Sequence, residues 1–356
     1  MHTQVRKPRK APMKKFALVL SLATLGTWSA NAQQPLTLQG TITLPGVTGK
    51  FDHFAIDLQG KRLFAAATGK HSVEVIDLTS GKVQQSITGL GKPHGLAWVA
   101  STNNLYVSDG ALAQLFVYKS LPGGRFELAG KLKLSDDADD MVYNEARHLL
   151  FVGTGGSDSA NPAQIIVVNT TSFTLAASIP VATHPEALEI DTQGQRIFAN
   201  IAASSEVAVI DGAGNAISNH WKLTGVSDNV PLAFDAEHHA IYVACRQPAV
   251  LLAIDADSGK EISRVATVGG ADDLFYDAVL RRVYVIGGAG EVHTYQVDAH
   301  KKLQPLGALH TASGAKTALF VPSQSLLYVG VPSIDGHDAE IRIYSTATGT
   351  TGRGNQ

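Results

Sequence analysis

FDHFAIDLQGKRLFAAATGKHSVEVIDLTSGKVQQSIT, residues 51–88, decides the fold. It opens with a short apolar strand that ends in a turn (FAIDLQGKR). An apolar strand built around an aromatic follows, at Leu63-Phe64-Ala65. A third strand alternates, Val73-Glu74-Val75-Ile76-Asp77, and the turn TSGK at 79–82 leads into a fourth. The SGK turn is hairpin chemistry, with glycine accepting positive φ. It is not a phosphate loop, because the upstream glycine and the following helix of that motif are missing.

The same order recurs along the chain. The aromatic strand reappears at Leu105-Tyr106-Val107, Leu150-Phe151-Val152 and Ile197-Phe198-Ala199. It returns at Ile241-Tyr242-Val243, Val283-Tyr284-Val285 and Leu327-Tyr328-Val329. The steps between copies are 42, 45, 47, 44, 42 and 44 residues. Seven copies at this period, four short strands each, predict an all-β, seven-bladed β-propeller over residues 36–349. The seventh copy runs out after its third strand, residues 340–345, and the N-terminal segment 36–44 is a strand without a blade. It supplies the missing fourth strand and closes the ring, which hides the sheet edges an open ring would expose.

Residues 1–32 differ from the rest. Six basic residues (Arg6, Lys7, Arg9, Lys10, Lys14 and Lys15) and no acidic ones precede an apolar run from Phe16 to Leu25. Ala30-Asn31-Ala32 then forms a small-x-small cleavage site, so the segment reads as a secretory signal peptide. Residues 13–32 already hold a complete signal, which makes Met13 an alternative start. The apolar run is too short to span a bilayer. The expected location is periplasmic or secreted, with no membrane span after cleavage, and residues 350–356 are expected to be a disordered tail. Cleavage lowers Lys+Arg from 29 to 23 against 31 Asp+Glu, a net charge near −8. An acidic chain repels phosphate backbones, so no nucleic-acid partner is expected. A closed ring requires no partner subunit, and a monomer is expected. The one cysteine, Cys245, lies in an apolar strand and reads as a small buried hydrophobe.

In a propeller the first strand of each blade lines the channel. Counting back from the aromatic strand gives the position where the chain reaches the channel mouth: Asp52, His94, Asp139, Glu186, Val230, Asp272 and Lys316. The next position holds His53, Gly95, Asp140, Ala187, Pro231, Asp273 and Thr317; Asn229 and His184 lie just upstream of two of these sites. Six of seven mouth positions are ionisable in a chain only 17% charged. Two carboxylates about 7 Å apart repel by roughly 2 kcal/mol at an effective dielectric near 20. This ring needs counter-charge, from Lys316, the histidines, a bound cation or a hydroxyl-rich ligand. The expected ligand-binding set is therefore Asp52, His53, His94, Asp139, Asp140, His184, Glu186, Asn229, Asp272, Asp273 and Lys316, with a small polar molecule as partner. The plainer alternative is a wet channel with a solvated polar rim.

Oxygen-rich ligation favours Ca²⁺ or Mg²⁺ as a cofactor, whereas adding His53, His94 or His184 shifts the expectation towards a transition metal. The run Asp136-Asp137-Ala138-Asp139-Asp140 lacks the central Gly and terminal Glu of an EF-hand. His238-His239 reads as a solvated turn. No G-x-S-x-G, H-E-x-x-H, C-x-x-C or dinucleotide fingerprint is present.

VEVIDLTSGKV, LLAIDADSGKEI, FDHFAID, KPHGL, HPEAL and ADDLFYD give the repeats their character. In these phrases the chain resembles the bacterial YVTN-type, YncE-like propeller family over residues 36–349, with LYVS and IYVA standing in for the YVTN tetrapeptide. The resemblance implies an exported binding or scaffold domain. By architecture the chain is also similar to gluconolactonase-like propellers. Those are six-bladed and hold a divalent metal with Glu, Asn and Asp, which implies Glu186, Asn229 and Asp272 here, with Asp139 as a further candidate. Similarity to streptogramin B lyase, a seven-bladed metal-dependent propeller, implies His94 or His53 as a general base. The leading expectation is ligand binding at the channel mouth. A metal-dependent hydrolase or lyase is the alternative, and a protein-interaction scaffold the second.

Overall fold

The computed structural model describes residues 35–347 apart from 157, 192, 194, 215 and 335. The expected signal peptide and C-terminal tail lie outside the described residues, as does the choice between Met1 and Met13. The described chain forms seven four-stranded antiparallel sheets arranged as a seven-bladed β-propeller. Among the described residues the only helical pieces are three single 3₁₀ turns, and no helix is long and apolar enough to cross a membrane.

Blades 1–6 each use four consecutive strands, within 54–87, 93–133, 141–180, 185–222, 227–266 and 271–310. Blade 7 takes three strands from the C-terminal end (Thr317–Val321, Leu326–Val331 and Ala339–Ser345) and its outer strand from Thr37–Leu44. That last pair is antiparallel, running from Thr37 opposite Ser345 to Leu44 opposite Ala339. The ring thus closes through the N-terminal strand.

The repeated aromatic is the core residue of each blade. Phe64, Tyr106, Phe151, Phe198, Tyr242, Tyr284 and Tyr328 are all at most 3% exposed. Burying such a side chain contributes about 1.5–3 kcal/mol. The apolar core is divided into seven clusters, each lying between two neighbouring blades. Cys245 is fully buried in one of them, and burial pushes its thiol up to about 12. The recurrent aspartates at the ends of first strands are turn formers. Asp57, Asp191, Asp235 and Asp277 accept hydrogen bonds from Gly60 N, Gln195 N, His238 N and Leu280 N. Gly81 and Gly259 of the SGK turns have φ of +65° and +70°. His238 lies in a turn with Nδ1 3.0 Å from Asp235 Oδ2, part of the capping arrangement there.

Candidate functional site

The blade geometry explains how the mouth residues reach the axis. In blade 2, Pro93 pairs with Asp109 and Leu96 with Val107, so His94 and Gly95 together face Ser108. In blade 4, Glu186 and Ala187 face Asn200 in the same way, and in blade 5 Val230 and Pro231 face Ala244. Blades 1 and 3 repeat the pattern: Asp52 N donates to Ala66 O while Ala66 N donates to His53 O, and Asp139, Asp140 and Gly153 do the same. Two residues opposite one is a β-bulge, which bends a strand and re-aims its side chains. Each bulge turns a mouth residue inward.

Those residues bound one cavity of ≈240 Å³. Its lining includes all seven mouth positions, one from each blade, together with His53, Asp140 and His184. Lys50, Lys92, Asp137 and Arg246 also line it. The first three sit two residues before a mouth position, where strand alternation returns the side chain to the same side. Arg246 sits four residues after its blade's aromatic, where the other blades have Thr68, Gly110, Gly155, Ala202, Gly288 and Pro332. A lone arginine among small residues was the signal that would have found it.

Asn229 does not line the cavity. It precedes the blade 5 bulge and is fully buried, and its Nδ2 donates to Asn200 Oδ1 and Glu206 O, both at 2.9 Å. The expected oxygen-rich set of Glu186, Asn229, Asp272 and Asp139 is therefore not assembled as a unit. Asp272 is engaged as well, by Lys316 Nζ at 2.5 Å and by the Arg246 guanidinium. Asp273 lies below the mouth, lining a second chamber of ≈280 Å³ with Glu189, Phe234, Phe275 and Phe320; His53 and Asp140 border both spaces. Asp140 Oδ2 accepts from Leu188 N at 2.8 Å, and Asp273 Oδ2 from Ala318 N at 2.6 Å. Each of these two carboxylates thus ties its blade to the next.

Blades 1–4 bring histidines and carboxylates together. Asp139 lies among three imidazoles: His94 Nδ1 at 3.1 Å, His53 Nε2 at 3.7 Å and His184 Nε2 at 3.7 Å. His94 Nδ1 is also 2.9 Å from Asp52 Oδ2. Gly95 lets Asp139 approach, since a Cβ there would stand 2.4 Å from Asp139 O. Ser108 fixes the junction by donating to Asp139 O at 2.6 Å and accepting from Gly95 N at 2.8 Å. Burial opposes charge on His94, but hydrogen bonds to Asp139 and Asp52 outweigh it and raise its pKa to about 9. His184 is raised to about 9, with burial opposed by Asp139 and the Gly155 carbonyl. His53 is raised well above its ordinary value, as Asp140, Asp139 and Asp52 overcome burial. Burial pushes the Asp139 carboxyl up, yet the imidazoles hold it well below the usual range. Burial raises Asp140 and Glu186, and takes Glu189 and Asp273 to about 7.

The donor atoms of Asp52, His53 and Asp139 lie within 4.8 Å of one another, a spacing a metal ion could bridge. The cavity as a whole offers fixed charges of both signs and few apolar surfaces, suited to orienting a small polar molecule.

No family model matches the chain, and no curated protein matches it. A chain of Kuenenia stuttgartiensis hydrazine synthase is similar in structure, with a TM-score of 0.69 at 15% identity, covering 80% of this chain and 95% of that one. The likeness is one of fold. It supports the propeller architecture and leaves membership of the YVTN-type family as a reading of the repeats.

Proposed function

We propose that this protein is an exported, YVTN-type propeller that binds a small polar ligand at the mouth of its channel. The observation that carries the reading is the convergence of seven mouth positions from seven blades on one cavity of ≈240 Å³. That volume lies just below the usual range for small-molecule sites, about 300–1,000 Å³, so the ligand is small. Its chemistry follows from the lining. Arg246 and Lys316 on one side suit a carboxylate or another acceptor-rich group. The histidine and aspartate cluster on the other side suits hydroxyls or a cation. Export rests on the charge and apolar pattern of residues 1–32.

A thermal-shift screen of polar acids, sugars and amines, run in chelator, tests the reading. Acids that raise the melting temperature should lose about tenfold or more in affinity in Arg246→Gln, and sugars and amines in Asp139→Asn, the cost of about 1.4 kcal/mol for one lost charged contact. Binders unaffected by substitutions at the mouth would refute it.

A second reading, a metal-dependent hydrolase or lyase, draws support from the His94–Asp52 and His94–Asp139 pairs, because two carboxylates keep this imidazole protonated and able to move a proton as a general acid. In that case His94→Ala abolishes turnover of a lactone or lyase substrate while the fold persists. Unchanged turnover would remove His94 from the mechanism. The scaffold reading gains little, since the exposed large apolar residues (among them Leu58, Leu128, Leu175 and Val279) are spread over separate blades.

A further inference from the structure

We infer that Asp52, His53 and Asp139 form a binding site for a single divalent transition-metal ion of the zinc type, open to the channel mouth. The inference deepens the ligand reading of the same cavity and rests on it only in that the mouth admits solutes.

The argument starts from distances that are wrong for hydrogen bonds. His53 Nε2 stands 3.6 Å from Asp52 Oδ1 and 3.7 Å from Asp139 Oδ1, and His53 Nδ1 stands 3.7 Å from Asp140 Oδ1. A charge-assisted N–H···O contact closes to about 2.7–2.9 Å. An imidazole that merely paired with one of three carboxylates would lie nearer to it. Ligands around a tetrahedral ion with bonds of about 2.0–2.2 Å are about 3.3–3.6 Å apart. The separations of 3.6 and 3.7 Å lie at or just above such edges, and all three donors fall within 4.8 Å of one another.

The surrounding groups hold the donors in place. His94 Nδ1 spans Asp52 Oδ2 at 2.9 Å and Asp139 Oδ1 at 3.1 Å, so one buried imidazole fixes both carboxylates. Asp140 faces the far nitrogen of His53 at 3.7 Å, too far for a hydrogen bond, so it acts on that ring through its charge alone. On the other side of Asp139, His184 Nδ1 is 2.7 Å from Gly155 O and donates to it. His184 Nε2 is left buried, without a hydrogen-bond partner, and 3.7 Å from Asp139 Oδ2. It is a third imidazole beside the same carboxylate.

All three residues line the cavity, and three protein donors would leave a fourth position for an incoming oxygen. The mixture of imidazole and carboxylate selects a first-row transition ion. Ca²⁺ asks for 6–8 oxygen donors, and Mg²⁺ for an octahedral oxygen shell that the mouth does not provide once Asn229 faces away and Asp272 is held by Lys316 and Arg246.

The test is calorimetric titration of the chelator-stripped protein, residues 33–356, with Zn²⁺ and separately with Ca²⁺, without organic ligand. The expected result is one Zn²⁺ per chain, weakened about tenfold or more in both His53→Gln and Asp139→Asn, and unchanged in His239→Gln, an exposed histidine paired with Asp257 away from the mouth. Circular dichroism checks each variant, and His53→Gln decides if Asp139→Asn fails to fold. No saturable Zn²⁺ binding, equal binding in His53→Gln, or preference for Ca²⁺ would overturn the inference. The ligand reading would survive each of these results, because its own screen is run in chelator.

Discussion

Replacing Asp139 by Asn removes the charge shared by three imidazoles and keeps the shape. The effect can be worked from the pKa values. His94 and His184 rise from 6.5 to about 9 in the fold. A group whose pKa is raised by folding stabilises fully below its unfolded value, and the gain is lost as pH rises through the folded value. A shift of about 2.5 units corresponds to about 3.4 kcal/mol at low pH, and about 2.5 kcal/mol remains at pH 7. The two imidazoles share one carboxylate, so their contributions do not add. Asp52 and the Gly155 carbonyl keep part of each shift, so Asp139→Asn should cost about 1–3 kcal/mol near pH 6 and under about 1 kcal/mol at pH 10, where the imidazoles are neutral in either protein. Below about pH 4 the difference shrinks again as Asp139, held below its usual range, takes up its proton. Urea unfolding in chelator at pH 4, 6, 8 and 10 measures this. A cost that is constant with pH, or larger at pH 10 than at pH 6, would refute the reasoning.

Asp273 and Glu189 reverse the sign. Their pKa values are raised to about 7 by burial, so the folded protein resists their ionisation. The penalty is absent below the unfolded pKa and complete above the folded one. Asp273→Asn or Glu189→Gln should leave stability unchanged at pH 4 and add about 1–2 kcal/mol at pH 8 after discounting for partial solvent access, read from urea midpoints. Gly259→Ala should cost about 1–3 kcal/mol in the same assay, because the residue has φ +70° and its Cβ would stand 2.3 Å from the Trp221 ring. A chain starting at residue 45 removes the outer strand of blade 7, with buried Leu36, Ile42 and Leu44, and bares the Ala339–Ser345 edge. Size-exclusion chromatography should show aggregates or self-paired dimers in place of the full chain's single species.

The repeat made the blades legible because one buried aromatic per copy fixes the register, and strand alternation fixes the rest. Counting from it located all seven residues that meet at the mouth. What the count could not see was the bulge. Asn229 is one residue from Val230 in sequence, yet the bulge begins between them, so Val230 faces the channel while Asn229 packs against Asn200. A period-2 pattern carries no mark of an extra residue. Arg246 escaped for another reason: it belongs to the second strand, and its approach to Asp272 is a contact between neighbouring blades. Asp140 and Asp273 were read as ligand groups, but each also accepts a backbone N–H from the next blade. Residue type alone does not separate these roles.

The central claim is that the charged mouth is a binding site. The most direct measurement compares a polar-ligand thermal-shift screen on the wild type with the same screen on Asp139→Asn/Arg246→Gln, which removes one charge from each side of the cavity. The account predicts compounds that stabilise the wild type in a concentration-dependent way and lose that effect in the double variant. Compounds that stabilise both proteins equally, or a wild type that no polar compound stabilises, would contradict it.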